Sequence, residues 1–418
     1  MKKTSLRTGQ LDDQGHLILP EEIMRAYRLA PGASLRLTMT EEGFSIASSE
    51  DHLARVYIEP TNACNLDCRT CMRNVWNEPL GWMQSNTFER ILKGVQAINP
   101  KPGIFFGGIG EPLAHPSILD MIVSACETGT QVEMITNGIL LDETKARRIV
   151  SAGLNRLWVS IDGSTPESYS DVRLGNALPL VTANLERLQA VQSEIGARLP
   201  RLGIAFVAMR RNIADLPEVI RLGQRLGADL FSVSNVLPHT AELRDQVLYN
   251  LTNANSEPQP SRYSPEVSLP RMNLDASTAS PLSAALPGSS AALRIARQRL
   301  HQGANTCPFL EKGSLSIRWD GVVSPCLPLL HTHQSYLAEN LRTSYAYAVG
   351  SILERDLIDL WHDPNYAQLR DSLRSFDFSP CTFCNSCEMS HANLEDCFGN
   401  LHPTCGGCLW AQGFIQCP

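Results

Sequence analysis

Cys64, Cys68 and Cys71 constrain what this chain can fold into more than any other feature. They stand within the eight residues Cys64-Asn65-Leu66-Asp67-Cys68-Arg69-Thr70-Cys71. A strand-like run, Arg55–Glu59, leads into them and is cut short by Pro60. The cysteine loop therefore opens just past the end of a strand. A tight loop brings thiolate sulfurs together on one face of an iron–sulfur cube, and three ligands for four irons leave one iron open. A zinc site and buried free thiols are the other readings of such spacing, although zinc usually takes four ligands, often as CxxC pairs.

The chain has 418 residues, enough for two or three domains, and a formal charge of -7, which argues against a general nucleic-acid binder. Met1-Lys2-Lys3-Thr4-Ser5-Leu6 is not followed by an apolar signal core, and no apolar run is long enough for a membrane span. Thirteen cysteines without a leader point to metal rather than disulfides, in a reducing cytoplasm.

From residue 54 onward, strand and helix patterns alternate. Strands are expected over 56–59, 104–106, 131–135, 156–161, 202–208 and 230–236. Helices are expected over 87–98, 118–128, 143–152, 181–195 and 216–226. Six βα units imply an α/β fold with a parallel sheet, curled by right-handed crossovers into a partial (β/α)6 barrel of TIM type. Functional residues then belong at the C-terminal ends of the strands, where the cysteine loop falls. Residues 240–295 are rich in Pro, Ser and Asn around Leu269-Pro270-Arg271-Met272, and read as a covering loop or linker. The expected division is 1–50, 51–239, 240–295 and 296–418.

The last part holds nine cysteines: Cys307, Cys326, Cys381, Cys384, Cys387, Cys397, Cys405, Cys408 and Cys417. A hairpin over residues 316–323, turning at Asp320-Gly321, brings Cys326 back towards Cys307. So small and cysteine-dense a unit has little apolar core, and metal would stabilise it. A zinc ribbon using CxxC pairs such as Cys381/Cys384 and Cys405/Cys408 is the other reading. Cys126, in a helical pattern, reads as a buried small hydrophobe.

Cys64-x3-Cys68-x2-Cys71 after the first strand of a βα barrel resembles the signature of radical S-adenosylmethionine (SAM) enzymes. Gly107-Gly108-Ile109-Gly110-Glu111-Pro112, after the second strand, is similar to that family's glycine-rich motif at the methionine amino group. Thr136-Asn137-Gly138 matches a turn after the third strand. Ser160-Ile161-Asp162-Gly163 resembles the segment contacting the ribose. The resemblance implies an open 4Fe-4S cluster on Cys64, Cys68 and Cys71. It also implies a SAM site drawn from Gly108, Gly110, Glu111, Ser160, Asp162 and Arg173, with Arg173 as partner for the methionine carboxylate and Asn212 as a further candidate. The chemistry implied is reductive cleavage of SAM to a 5′-deoxyadenosyl radical. Thr70 stands where many members carry an aromatic residue.

Cys307-x13-Gly321-x4-Cys326 resembles the opening of the SPASM domain, which holds auxiliary iron–sulfur clusters. The resemblance implies two, the nine tail cysteines supplying the ligands: Cys307, Cys326 and Cys397 with one, and Cys381, Cys384 and Cys387 with the other. The stretch Tyr57-Ile58-Glu59-Pro60-Thr61-Asn62, with Glu78-Pro79-Leu80-Gly81 beyond the cysteines, is similar to proteins that mature tungsten-containing aldehyde ferredoxin oxidoreductases. That implies the oxidoreductase or its pterin cofactor as substrate, with reduced ferredoxin or flavodoxin as electron donor; a peptide maturase acting on a small precursor is the alternative. Residues 1–48 resemble the AbrB/SpoVT swapped-hairpin module, with His16 where Arg is usual. Such modules form dimers and often bind DNA, which leaves a cluster-containing DNA-binding redox regulator as a reading of another class. Here Lys2, Lys3, Arg7, Arg25, Arg28 and Arg36 are balanced by Asp12, Asp13, Glu21, Glu22, Glu41 and Glu42, which weakens phosphate binding. Dimerisation of the chain or docking of a partner is the expected use of this module, with a passive appendage as the other reading.

Overall fold

The structure, a computed structural model, describes residues 10–21, 24, 35–40, 43–48, 52–173, 175–249, 266–269, 272–273, 275–285, 292–295, 305–337, 339–383 and 387–418. Near the start are two antiparallel hairpins. β1 (Gln10–Leu11) pairs with β2 (Leu17–Ile18), and β3 (Leu35–Thr40) with β4 (Gly43–Ser48). His16 pairs with Asp12 across the first turn at 2.9 Å, and Gly15 supplies its positive φ of 82°. Lys2, Lys3, Arg7, Arg25 and Arg28 lie outside the described residues.

The six expected strands form a parallel run: β5 (Arg55–Ile58), β6 (Gly103–Phe106), β7 (Val132–Thr136), β8 (Arg156–Ser160), β9 (Arg201–Ala208) and β10 (Ala228–Asn235). The crossover helices include Ser85–Ala97, Ile118–Glu127, Glu143–Ala152, Leu178–Ile195 and Leu216–Arg225. Strand alternation sorts the side chains by face. Val56 and Ile58 join the large core between sheet and helices, whereas Tyr57 packs with Phe105 and Trp158 on the opposite, inner face. Glu59, two residues beyond Tyr57, carries that inner face to the C-terminal end of β5.

The sheet has eleven strands rather than six. β11 (Glu266–Leu269) and β12 (Ala292–Ile295) continue the parallel run beyond β10, and a helix covers Ala279–Ala285. The stretch read as a covering loop therefore supplies two strands. Each is short and set among Pro- and Ser-rich sequence, whose composition reads as loop. Pro270 and Arg271 lie outside the described residues.

The other edge carries the auxiliary part. β13 (Ser314–Ile317) pairs parallel with β5, Ile317 opposite Ile58, then turns at Gly321 into β14 (Val322–Ser324). β15 (His333–Leu337) and β16 (Asn340–Ser344) make a separate hairpin, and β17 (Gly350–Ser351) pairs with β14. The chain's end returns to the barrel: Asn235 donates to the Phe414 carbonyl at 2.8 Å, and the Gln416 amide donates to Ser234 at 3.1 Å. No helix among the described residues is long and apolar enough to cross a membrane.

Phe106 is fully buried on β6, between the sheet and Phe88 of the first crossover helix. Phe106→Ala is expected to destabilise the fold by about 3–5 kcal/mol, read as a lower thermal unfolding midpoint. A loss below about 1 kcal/mol would be too small for the core position described.

Candidate active site

The cysteine loop is held from both sides. Before it, Thr61 donates to the Gly81 carbonyl at 2.6 Å, and Asn62 donates to the Pro79 carbonyl while accepting from the Gly81 amide. The segment entering the loop is thus tied to the segment leaving it. Within it, the Cys71 amide donates to the Cys68 carbonyl at 2.9 Å, Asn74 donates to the same carbonyl, and Arg73 donates to the Leu66 carbonyl. Arg69 carries the loop outward, pairing with Glu242 at 2.9 Å and donating to the Asp171 carbonyl.

Cys68 is buried, and Cys64 and Cys71 are half-buried. Burial pushes the Cys64 and Cys71 thiols up, with the Arg73 charge opposing it. A bound cation is what reverses such a shift and holds thiolates deprotonated. Two donors already face the sulfurs: Arg173 approaches Cys68 Sγ at 3.7 Å and Asn137 approaches Cys64 Sγ at 3.8 Å. Three soft ligands on one short loop, supported by a guanidinium and an amide, fit a thiolate-held iron–sulfur cluster with one position open.

The glycine-rich turn after β6 lies against this loop. A Cβ on Gly110 would stand 2.2 Å from the Thr61 carbonyl oxygen, and Gly108 has φ of 123° with Glu59 beside it. Only glycine permits both contacts. The Glu111 amide donates to the Ala63 carbonyl at 2.8 Å. The Glu111 carboxylate turns the other way, accepting from Thr136 Oγ1, the Asn137 amide and the Leu113 amide. Burial pushes this carboxyl up. Glu111 therefore faces the β7 turn with its side chain and the cysteine loop with its backbone. Asn137, which sequence reasoning noted only as part of a turn, links the two by donating to Asn65 at 2.8 Å.

Ser160 ends β8 half-buried. Asp162 is fully buried and pairs with Arg173 at 2.5 Å. Burial raises Asp162 against the pull of Arg173, and the neighbouring anionic groups keep Arg173 protonated despite its own burial. Arg173 Nε, buried, has no hydrogen-bond partner, so one donor remains for a bound anion. Asn212 makes backbone contacts alone: it donates to the Asp162 and Val207 carbonyls and accepts from the Met209 amide. It positions Asp162.

The tail cysteines group differently from the expected partition. Cys307, Cys326, Cys405 and Cys408 line one cavity. Burial pushes Cys307 up to about 12 and Cys326 and Cys405 well above their ordinary range, and each of these also feels the charge of others in the group. Cys397 stands elsewhere, 3.2 Å from Ser379 Oγ, which is 3.4 Å from Cys381 Sγ. It is linked through Ser379 to Cys381 and does not line the cavity that holds Cys307 and Cys326. Spacing could not show this, because the fold of residues 388–404 brings the Cys405-Gly406-Gly407-Cys408 turn to the cavity. Cys384 lies outside the described residues. Cys417 lies beside Lys312 and Trp410, and its charge also reaches Cys408. Cys126 is half-buried on its helix, its thiol pushed up to about 11 by burial.

One inner-face contact joins all these parts. His331, fully buried, bridges Glu59 Oε1 at 2.8 Å and Glu78 Oε2 at 2.6 Å. Glu59 Oε2 accepts from the Ile109 amide of the glycine-rich turn at 3.0 Å. Trp76 packs edge-on against the imidazole, and Arg318 lies 3.9 Å from Glu78. Burial alone would depress the imidazole, but Glu59 and then Glu78 outweigh it and raise it above 6.5. A raised folded-state value means the stabilisation is complete below the imidazole's ordinary value of about 6.5 and is lost as pH climbs from there through the raised folded-state value. The melting temperature is expected to fall as pH rises above 6.5, and His331→Gln to flatten that slope. An unchanged slope in the variant would place the titration at another group.

The sequence profile of the radical SAM superfamily matches residues 58–222, and that of an iron–sulfur cluster-binding domain, SPASM, matches residues 307–388. The tungsten-containing aldehyde ferredoxin oxidoreductase cofactor-modifying protein of Pyrococcus furiosus is 30% identical over 375 residues, covering 87% of this chain and 96% of that protein. The PqqA peptide cyclase of Rhodopseudomonas palustris is 28% identical over 47% of this chain and 51% of its own length. Among solved structures, Streptococcus suis SuiB bound to precursor peptide SuiA aligns with a TM-score of 0.54 at 15% identity, over 79% of this chain and 69% of that one. The protein anSMEcpe with bound AdoMet aligns at 0.51 and 16% identity, over 81% and 88%. These two likenesses concern the fold. The family carries a 4Fe-4S cluster and SAM, and its SPASM domain binds further iron–sulfur clusters. With a relative matched almost end to end and both profiles in sequence along it, this chain belongs to the radical SAM superfamily, as an enzyme with a C-terminal SPASM domain that cleaves SAM reductively.

Proposed function

We propose that this enzyme matures a tungsten-containing aldehyde ferredoxin oxidoreductase, acting on its pterin cofactor or on the oxidoreductase itself. The observation that carries this reading is the match to the cofactor-modifying protein, which runs over 96% of that relative and takes in both the barrel and the cysteine-rich tail. The peptide cyclase relative aligns over about half of its own length, which is why a peptide substrate is the weaker reading.

In this reading Cys64, Cys68 and Cys71 hold the cluster, and Gly108, Gly110, Glu111, Ser160, Asp162 and Arg173 form the SAM site. When bound, the reduced cluster and SAM supply a 5′-deoxyadenosyl radical that takes a hydrogen atom from substrate. The protein's part is placement. Gly110 lets the glycine-rich turn approach the backbone of the cysteine loop closely, so that the turn's main chain would border a ligand held there. Asp162 fixes Arg173, whose free Nε–H is available to the methionine carboxylate. Cys307, Cys326, Cys405 and Cys408 hold one auxiliary cluster; Cys381, Cys384, Cys387 and Cys397 hold the other. Reduced ferredoxin or flavodoxin supplies electrons, and residues 1–48 pair two copies of the chain.

Anaerobically reconstituted protein is expected to contain about twelve irons, three clusters of four, and to form 5′-deoxyadenosine with dithionite and SAM. Replacing Cys64, Cys68 and Cys71 together by Ala is expected to remove about four irons and abolish 5′-deoxyadenosine. Zinc in the tail would overturn the auxiliary clusters. Immature tungsten oxidoreductase is expected to accelerate 5′-deoxyadenosine formation and to show a mass change on its pterin or polypeptide. Acceleration by a short precursor peptide alone would overturn the tungsten reading.

A further inference from the structure

Arg342, on β16, is 3% exposed and lines the cavity shared by Cys307, Cys326, Cys405 and Cys408. Its guanidinium also lies close enough to Cys381, in the other thiol group, for that thiol's charge to act on it. It therefore stands between the two. One of its nitrogens donates to the Ser390 carbonyl at 2.6 Å, and among the described residues no carboxylate pairs with it.

The surrounding backbone is shaped to this side chain. A Cβ on Gly407 would stand 2.8 Å from Arg342 Cζ. A Cβ on Gly406 would meet the carbonyl oxygen of Ser379 at 1.7 Å, and the Ser379 hydroxyl contacts both Cys381 and Cys397. The Cys405-Gly406-Gly407-Cys408 turn thus has the guanidinium against one glycine and the second thiol group's support against the other. The cavity's other buried guanidinium, Arg370, is different. It lies over the rings of Trp361 and Tyr366, at 4.3 and 4.5 Å, and donates to the Trp361 carbonyl. Those ring faces offset its charge.

A buried cation without a partner is strongly disfavoured. Thiolate-held clusters are anionic, and their potentials respond to nearby charge and to hydrogen bonds at sulfur. We propose that Arg342 is the shared counter-charge of the two auxiliary clusters, raising and coupling their reduction potentials. This rests on the reading that both thiol groups hold clusters. Arg342 touches ligands rather than substrate, so it is a positioning residue for electrons. Its fixed positive charge stabilises the reduced, more negative state of either cluster. An electron arriving on one cluster draws on the charge that the other also uses.

The test compares full-length reconstituted wild type, Arg342→Gln and Arg342→Lys by iron and sulfide content and by redox titration followed by electron paramagnetic resonance. In Arg342→Gln both auxiliary signals are expected to shift to lower potential by at least a tenfold change in the reduced-to-oxidised ratio, about 59 mV for one electron. The signal of the Cys64/Cys68/Cys71 cluster is expected to stay in place, and Arg342→Lys to keep the wild-type potentials. The inference is overturned if neither auxiliary signal moves, if only one moves, or if Arg342→Lys shifts as far as Arg342→Gln. If Arg342→Gln sheds an auxiliary cluster, Arg342→Lys decides. Full iron with wild-type potentials supports the role of charge, and loss of iron in both variants overturns it. A wild-type iron content too low for two auxiliary clusters would count against the cluster reading, not against Arg342 alone.

Discussion

The close approach of two turns sets the geometry of the whole site. The glycine-rich turn after β6 can lie on the backbone of Thr61–Ala63 because Gly110 has no side chain. That contact fixes the distance between the thiols and the backbone that would face their ligand. Other contacts then lock it from the sides: Glu111 to the β7 turn, Asn137 to Asn65, and Glu59 to Ile109. A rigid parallel sheet supplies the strand ends from which these residues project.

The auxiliary part is joined to this frame by secondary structure and by charge together. β13 continues the sheet past β5, so residues of the tail reach the inner face at a fixed register. His331 then meets Glu59 inside. The same tail places two thiol groups around Arg342. Buried histidine and buried arginine thus perform parallel tasks, each offsetting anionic groups contributed by distant parts of the chain.

The barrel was legible because its signals are local and periodic. The six central strands and their helices follow from alternation and from 3.6-residue patterns, and the cysteine loop from spacing alone. Glu111 and Asn212 show where that legibility ends. Their residue types fit a ligand site, yet Glu111 directs its carboxylate to three internal donors and Asn212 serves only backbone. Residue identity does not reveal which way a side chain turns. Glu59 and His331 were not visible as partners because 272 residues separate them. The partition of Cys397, Cys405 and Cys408 depended on how residues 388–404 fold back, and that stretch has neither a strand nor a helix period to read. β11 and β12 were missed because the Pro- and Ser-rich sequence around them carries the composition of a loop.

The pairing of β5 with β13 also bears on how the molecule is made. β5 leaves the ribosome more than 250 residues before β13, the strand that covers its outer edge. During that interval an apolar strand edge and a three-thiol loop share one unsealed margin of the nascent barrel, a place open both to wrong strand partners and to stray metal. The contact between Ile58 and Ile317 is therefore a late closing seam. It joins the opening of the chain's chemistry to its end, and it makes correct completion of the tail a condition for protecting the first cysteine loop.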